Sequence, residues 1–384
     1  MEAYLDNSAT TKVSEGVKDI VVKTMTEDFG NPSSLHMKGI EAEKYLRAAR
    51  EIIAKALKAA EKEIIFTSGG TEANNMALIG IAEAYKRAGR HIVTTAIEHA
   101  SVLSTMKYLE EQGYSVTYLN VDKSGRIDIN ELKNAITDET ILVSVMYVNN
   151  EIGAVEPIEE IGKIIKERNQ DTIFHVDAIQ AFGKYKIYPK KLKIDALSVS
   201  GHKIHGPKGI GFLYVSDKVK IRPIMHGGGQ QRGLRSGTDN VPGIAGMGQA
   251  VKEAYTDMET KVNKMRELRN YLTDSLLKLP DVRINSGREA EGAPNIVSVS
   301  FIGVRSEVML HALEEKGVYV SSGSACSSNK PGVSPTLKAI GIDREALDST
   351  LRFSLCPATT KEEADYAIEA VKELLPKLRI LRRK

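Results

Sequence analysis

Ala196-Leu-Ser-Val-Ser-Gly-His-Lys203 is an apolar run that ends in Ser200, His202 and Lys203. Open α/β sheets bind ligands just past the carboxyl ends of their strands. A lysine at such a point is a surface residue, an anion contact or an imine-forming amine. A second run, Thr172-Ile-Phe-His-Val176, leads straight into Asp177, with Gln180 three residues on. That carboxylate either caps a following helix or keeps the pyridine nitrogen of pyridoxal phosphate protonated. A third, Ile64–Thr67, breaks into Ser-Gly69-Gly70-Thr71 before a helical pattern. Free N–H groups at a helix start, with no side chain on Gly70 and a hydroxyl on Thr71, make a phosphate seat. A tight turn explains the glycines equally well, and the P-loop spacing is missing.

Two further strand ends carry His99, after His91–Thr95, and Asn150, after Ile141–Tyr147. The imidazole is structural, or else it stacks on a cofactor ring and relays protons near neutral pH; the amide could donate to a ring oxygen. Five strand ends thus offer a phosphate seat, a flat partner, an amide, an acid and an amine, and their joint occurrence raises the reading above any single one. Cys326 sits in Ser321-Ser-Gly-Ser-Ala-Cys-Ser-Ser328, a small-residue loop in which a thiol reads as a nucleophile rather than as packing. Cys356, in Arg352-Phe-Ser-Leu-Cys, follows strand alternation and reads as inert packing. Arg352 is a surface charge or a bidentate clamp for a carboxylate. His202 and His205 lack companions that would complete a metal site, so no metal is required.

The elements that must hold these residues follow from the pattern. Strands are expected at Ile64–Thr67, His91–Thr95, Ser115–Leu119, Ile141–Tyr147, Thr172–Val176, Ala196–Val199 and Gly211–Val215, alternating with helices as in a mainly parallel sheet. Ala42, Leu46, Ala49, Ile53 and Leu57 mark one face of a helix over 39–59. A charged helix from about 257 to 277 leads into a smaller α+β part, with strands at Asn295–Phe301, Val318–Ser321 and Arg352–Cys356 and helices at Glu307–Glu315 and Lys361–Leu375. Pro376 is expected to stop or kink the last of these. The basic residues of 377–384 read as a solvated chain end. The 384 residues are 42% hydrophobic, and 53 Lys+Arg against 50 Asp+Glu give a net charge of only +3. That balance argues against nucleic-acid binding. With no signal-like start and no apolar span, a cytoplasmic protein without membrane contact is expected.

From end to end the chain resembles the group I cysteine desulfurases. The likeness rests on Asp6-Asn-Ser-Ala-Thr-Thr11, Asn31-Pro-Ser-Ser-Leu-His36, the Gly-Gly-Thr-Glu-Ala-Asn run, Asn149-Asn-Glu-Ile-Gly153, His175-Val-Asp-Ala-Ile-Gln180, Ser200-Gly-His-Lys-Ile-His-Gly-Pro-Lys-Gly209, Arg235-Ser-Gly-Thr238 and the Cys326 segment. The resemblance implies pyridoxal-phosphate fold type I, class V aminotransferase family: a large domain (15–256) with a mainly parallel seven-stranded sheet, and a small α+β domain (1–14 plus 257–384) carrying the cysteine loop. It implies that Lys203 bonds the cofactor, Asp177 faces the ring nitrogen, Gln180 and Asn150 lie on the ring-oxygen side, and His99 stacks. Gly70, Thr71, Ser200 and His202 would hold the phosphate, with Thr238 reaching in from the other subunit of a homodimer. Arg352, with Asn150, would bind the substrate, L-cysteine, and Cys326 would take its sulfur. Delivery to an iron–sulfur scaffold or another sulfur-acceptor protein follows, with Cys326 able to ligate a cluster during transfer. A selenocysteine lyase, an aminotransferase and a non-catalytic docking protein are the alternatives.

Overall fold

The computed structural model describes residues 1–287, 291–322 and 334–382. Its central sheet is built from β1 (Ile64–Thr67), β2 (His91–Thr95), β3 (Ser115–Leu119), β4 (Thr140–Met146), β5 (Ile173–Asp177), β6 (Ala196–Ser200) and β7 (Gly211–Val215). Their order is β1-β7-β6-β5-β4-β2-β3. Only β7 runs against its neighbours β1 and β6; the remaining pairs are parallel. Every residue of β4 to β7 is buried, polar Ser144, His175 and Ser198 included, as expected of strands covered on both faces. All seven expected strands are present, with ends shifted by at most one residue.

The helix expected over 39–59 spans Met37–Leu57 and buries Ala42, Leu46, Ala49, Ile53 and Leu57. It packs closely on helix Val241–Tyr255: a Cβ on Gly248 would lie 2.8 Å from the Ala49 Cα, so only glycine allows this approach. Helix Met258–Leu276 then leads to a second core, where Leu268, Leu272, Val299, Phe301, Phe353 and Val371 gather. Its antiparallel sheet has the order Ser321–Ser322, Thr350–Ser354, Ile296–Phe301, Val282–Ile284. Ala3 and Leu5 belong to this core, and Ala3–Tyr4 pairs in parallel with Val318–Tyr319. From there Asp6–Thr11 crosses back to the large sheet, where the Thr11 N–H and Oγ1 both donate to the His202 carbonyl.

Three expectations need correction. The strand placed at Arg352–Cys356 is Thr350–Ser354, so Cys356 lies two residues beyond it. The single strand at Val318–Ser321 divides between two sheets. The last helix is not stopped at Pro376 but runs from Lys361 to Arg382. Proline forfeits one helical hydrogen bond, yet Leu375 and Leu378 pack on the second core to either side of it.

Candidate active site

Because β2, β4, β5 and β6 run parallel, their carboxyl ends open on one side, and β1 ends there too. Lys203 closes the tight turn Gly201–Lys203 directly after β6, and its Nζ donates to the carbonyls of Ser8 and Ala9 in the N-terminal strap. Gln180 Nε2 reaches the same Ser8 carbonyl at 3.0 Å. Asp177, the last residue of β5, is buried; its Oδ1 accepts from the Ile179 N–H at 3.0 Å and its Oδ2 from Asn74 Nδ2 at 2.9 Å. The same Asn74 nitrogen donates to Ser101 Oγ at 2.9 Å, and Ser101 Oγ is 2.9 Å from His99 Nδ1. A continuous polar chain therefore links the carboxylate to the imidazole.

His99 is the N-cap of helix Ala100–Glu111, and its Nδ1 accepts from the Ser101 N–H at 3.1 Å. That bond leaves the ring proton on Nε2. Burial pushes the His99 pKa below its ordinary value; the nearby Asp177 carboxylate opposes this and Lys203 reinforces it, so the ring is neutral at pH 7. His202 is drawn down to about 4 by burial, with Lys203 and Lys208 contributing. Beneath these groups lies Glu98, whose Oε1 accepts from Thr95 Oγ1 and from the Met146 N–H, both at 2.8 Å. Burial raises its pKa well above the usual carboxylate range, and the charge on Asp177 adds to the effect.

Helix Gly70–Tyr85 begins with no side-chain cap, and Thr71 is exposed at its first turn. A Cβ on Gly70 would come within 2.2 Å of Ile179 Cδ1 and 3.5 Å of Ser200 Cβ, so the helix start lies hard against the ends of β5 and β6. Beside it a cavity of ≈ 380 Å³ is lined by Thr71, His99, Ser101 and Tyr108. Arg352 enters from the second core: Nη1 donates to the Asn150 carbonyl at 2.7 Å, Nη2 to Asp6 Oδ1 at 2.8 Å, and its buried Nε has no partner. Of the two adjacent asparagines, Asn149 is committed to its own turn, accepting from the Glu151 and Ile152 N–H groups, while Asn150 is half-buried.

The structure thus brings together Gly70, Thr71, His99, Asp177, Gln180, Ser200, His202 and Lys203, with Asn150 and Arg352 joined at the edge. Thr238 is exposed and makes no hydrogen bond to this group within the chain. Cys326 lies outside the described residues. Sequence reasoning gave no role to Asn74, Ser101, Glu98 or the Ser8 and Ala9 carbonyls; the strand-end position of Glu98 beside His99 and the quoted runs that contain Asn74, Ser8 and Ala9 carried a signal.

These residues fit pyridoxal phosphate. The uncapped helix start, with Thr71, Ser200 and His202, suits a dianionic phosphate. A buried carboxylate, a flat neutral imidazole and a primary amine suit the pyridine nitrogen, the ring face and the aldehyde.

Residues 3–367 match the family model described as aminotransferase class-V. The chain is 48% identical to "Cysteine desulfurase IscS" of Methanosarcina thermophila, over 98% of this chain and 92% of that protein. It is 46% identical to "Cysteine desulfurase" of Nostoc sp., over 98% and 94% respectively. Among solved structures it is similar to a "NifS-like protein" (TM-score 0.93, 41% identity, 98% of this chain and 100% of that one). It is also similar to "SspA in complex with cysteine" (TM-score 0.81, 36% identity, 93% and 100%).

Proposed function

The chain belongs to the class-V aminotransferase family, among its pyridoxal-phosphate-dependent cysteine desulfurases, and on that premise we propose how its own residues carry the reaction. The observation supporting the assignment is the convergence of Lys203, Asp177, His99 and the uncapped helix start at one set of strand ends. When bound, the cofactor supplies an electron sink that acidifies the Cα–H of L-cysteine.

Gly70, Thr71, Ser200 and His202 would hold the phosphate, and the Asp177 carboxylate, oriented by Asn74, would keep a proton on the ring nitrogen. Lys203 would hold the cofactor covalently, and its Nζ, as a free amine, would remove the Cα proton. The strap carbonyls of Ser8 and Ala9 fix where that amine rests. Arg352 binds the substrate carboxylate, exchanging a contact to Asp6 or to the Asn150 carbonyl. His99, neutral with its proton on Nε2, manages the thiol protons. Cys326 attacks the substrate sulfur: one C–S bond breaks, one S–S bond forms, and the products are alanine and an enzyme persulfide. The outer sulfur then passes to an acceptor protein, with iron–sulfur assembly as the expected destination.

The enzyme works as a homodimer in the cytoplasm, with Thr238 completing the partner's phosphate site; the exposure of Thr238 agrees with this. A large domain of 15–256 and a small one of 1–14 plus 257–384 agree with the second core, in which Ala3 and Leu5 join residues 268–375. Borohydride reduction of the holoenzyme followed by peptide mapping should find the cofactor on Lys203. Equal amounts of alanine and sulfide should form from L-cysteine under reducing conditions. Cys326→Ser should keep the bound cofactor's absorbance and release no sulfide; sulfide release by that variant would remove Cys326 from its role.

A further inference from the structure

Cys356, whose sequence pattern reads as inert strand packing, lies two residues beyond the strand. It is half-buried and lines a cavity of ≈ 520 Å³ behind the Lys203 turn, within the volume range of small-molecule sites. We propose that Cys356 is a second reactive thiol of this protein, a modification site that exchanges with small zwitterionic disulfides inside this cavity. The proposal does not depend on the roles given to Lys203 or Cys326.

His205 supplies the activating partner. Its Nδ1 lies 2.8 Å from the Lys12 carbonyl; a carbonyl only accepts, so Nδ1 carries the proton and Nε2 is the nitrogen available to the Cys356 thiol, which lines the same cavity. The His205 backbone is left-handed (φ 63), a conformation that persists in a bulky residue only where its surroundings fix it. Thr359 Oγ1 donates to Cys356 Sγ at 3.6 Å. Burial disfavours the thiolate, but the hydrogen bonds of His205 and Thr359 and the charge on His205 outweigh it, leaving the thiol pKa below its ordinary value. His205 is raised in return.

The remaining lining points to a ligand. Asn295, 2% exposed, borders the cavity with an Oδ1 that has no hydrogen-bond partner. Lys184, whose amine is pushed down to about 8 by burial, borders it too and interacts electrostatically with Cys356. Lys12 and Glu15 after the strap, Lys203 of the turn, Glu253 and Lys261 from the two long helices and Glu363 from the last helix are the other charged residues of the lining. Ammonium and carboxylate groups thus both line the cavity that holds the sulfur, a lining matched to an amino-acid disulfide. In the exchange, the Cys356 thiolate attacks one sulfur; a protein–ligand S–S bond forms, the ligand's own S–S bond breaks, and the departing thiolate takes a proton, with no net oxidation.

The test incubates holoenzyme with L-cystine near neutral pH and maps the two cysteine peptides separately by mass spectrometry. A cysteinyl adduct on residues 353–361, removed by reductant, is expected. In Cys356→Ser that adduct should vanish while alanine production is unchanged. In His205→Gln, alkylation of Cys356 by iodoacetamide should slow by about tenfold or more, as expected when a thiolate loses its cationic partner. For wild type alone, the pH midpoint of that alkylation should lie below the ~8.5 of a free thiol, a readout that does not require the variant to fold. An unmodified 353–361 peptide in the native enzyme, under conditions that label the unfolded chain, would overturn the proposal. So would a midpoint at or above the free-thiol value.

Discussion

Asn74 holds two groups in place with one nitrogen. It is completely buried, and its Nδ2 spans from the phosphate-side helix to Asp177 on β5 and to Ser101 beside His99. Asp177 therefore keeps only the Ile179 N–H if this amide is lost. A buried hydrogen bond to a charged group contributes about 1.5–3 kcal/mol, so Asn74→Ala should lower kcat/KM for alanine formation by roughly 10- to 100-fold. The cofactor should also be held more weakly. Asn74→Asp should be worse, since it sets a second carboxylate against Asp177. Steady-state kinetics and cofactor titration read both; wild-type kinetics in Asn74→Ala would refute the orienting role. The residue is visible in the sequence inside Gly-Gly-Thr-Glu-Ala-Asn, but its partner lies 103 positions away, and no local spacing announces such a bond. Lys203 and Asp177 were legible because each lies at the carboxyl end of a strand.

At the scale of elements, strands were read well because burial on both faces of the inner strands selects short runs rich in apolar residues. The same signal misled at Arg352–Cys356: Leu351, Phe353 and Leu355 are all fully buried, but the ladder ends at Ser354. Apolar alternation outlasts the strand there, with the Leu355 N–H still reaching the Asn295 carbonyl at 2.8 Å, and that is how Cys356 was taken for strand packing. Connections carry chemistry too. Glu156 follows the bridge between Val148 and Val155, and its Oε2 accepts from the Ile127 N–H at 3.2 Å, tying two connections together. Its Oε1 has no partner, and burial pushes its pKa up to about 8. Between the unfolded value near 4.5 and that value, the native state holds a proton that the unfolded chain has released. The contribution of this group is therefore complete below pH 4.5 and is lost as pH rises through about 8, at up to ~1.4 kcal/mol per pH unit. Glu156→Gln keeps the shape without the titration, so its denaturant-unfolding free energy should decline less over this range than that of wild type. Equal slopes would mean that native Glu156 is already ionised.

For the whole molecule, the question is where the site is completed. The strap from Asp6 to Thr11 ties the second core to the Lys203 turn within one chain. Among the described residues the phosphate side has no equivalent closure. Thr238 stands exposed, while Arg235, three residues before it, pairs with Glu72 at the phosphate-side helix at 2.8 Å. Val22, Met25, Phe29, Leu35 and Met37 expose large apolar side chains along one stretch of sequence, the kind of surface that a second subunit covers. If Thr238 serves the partner's phosphate, Lys203→Ala and Thr238→Glu disable a homodimer by different routes: one lacks the amine, the other sets a negative charge against the phosphate. A hybrid dimer of the two chains collects both defects in one site and leaves the other site intact. Purified hybrids, separated by distinct affinity tags, should regain about half the wild-type rate per dimer although neither parent approaches it. Hybrids as inactive as their parents would place Thr238 in the site of its own chain, and a single-chain sedimentation mass for wild type would remove the shared site altogether.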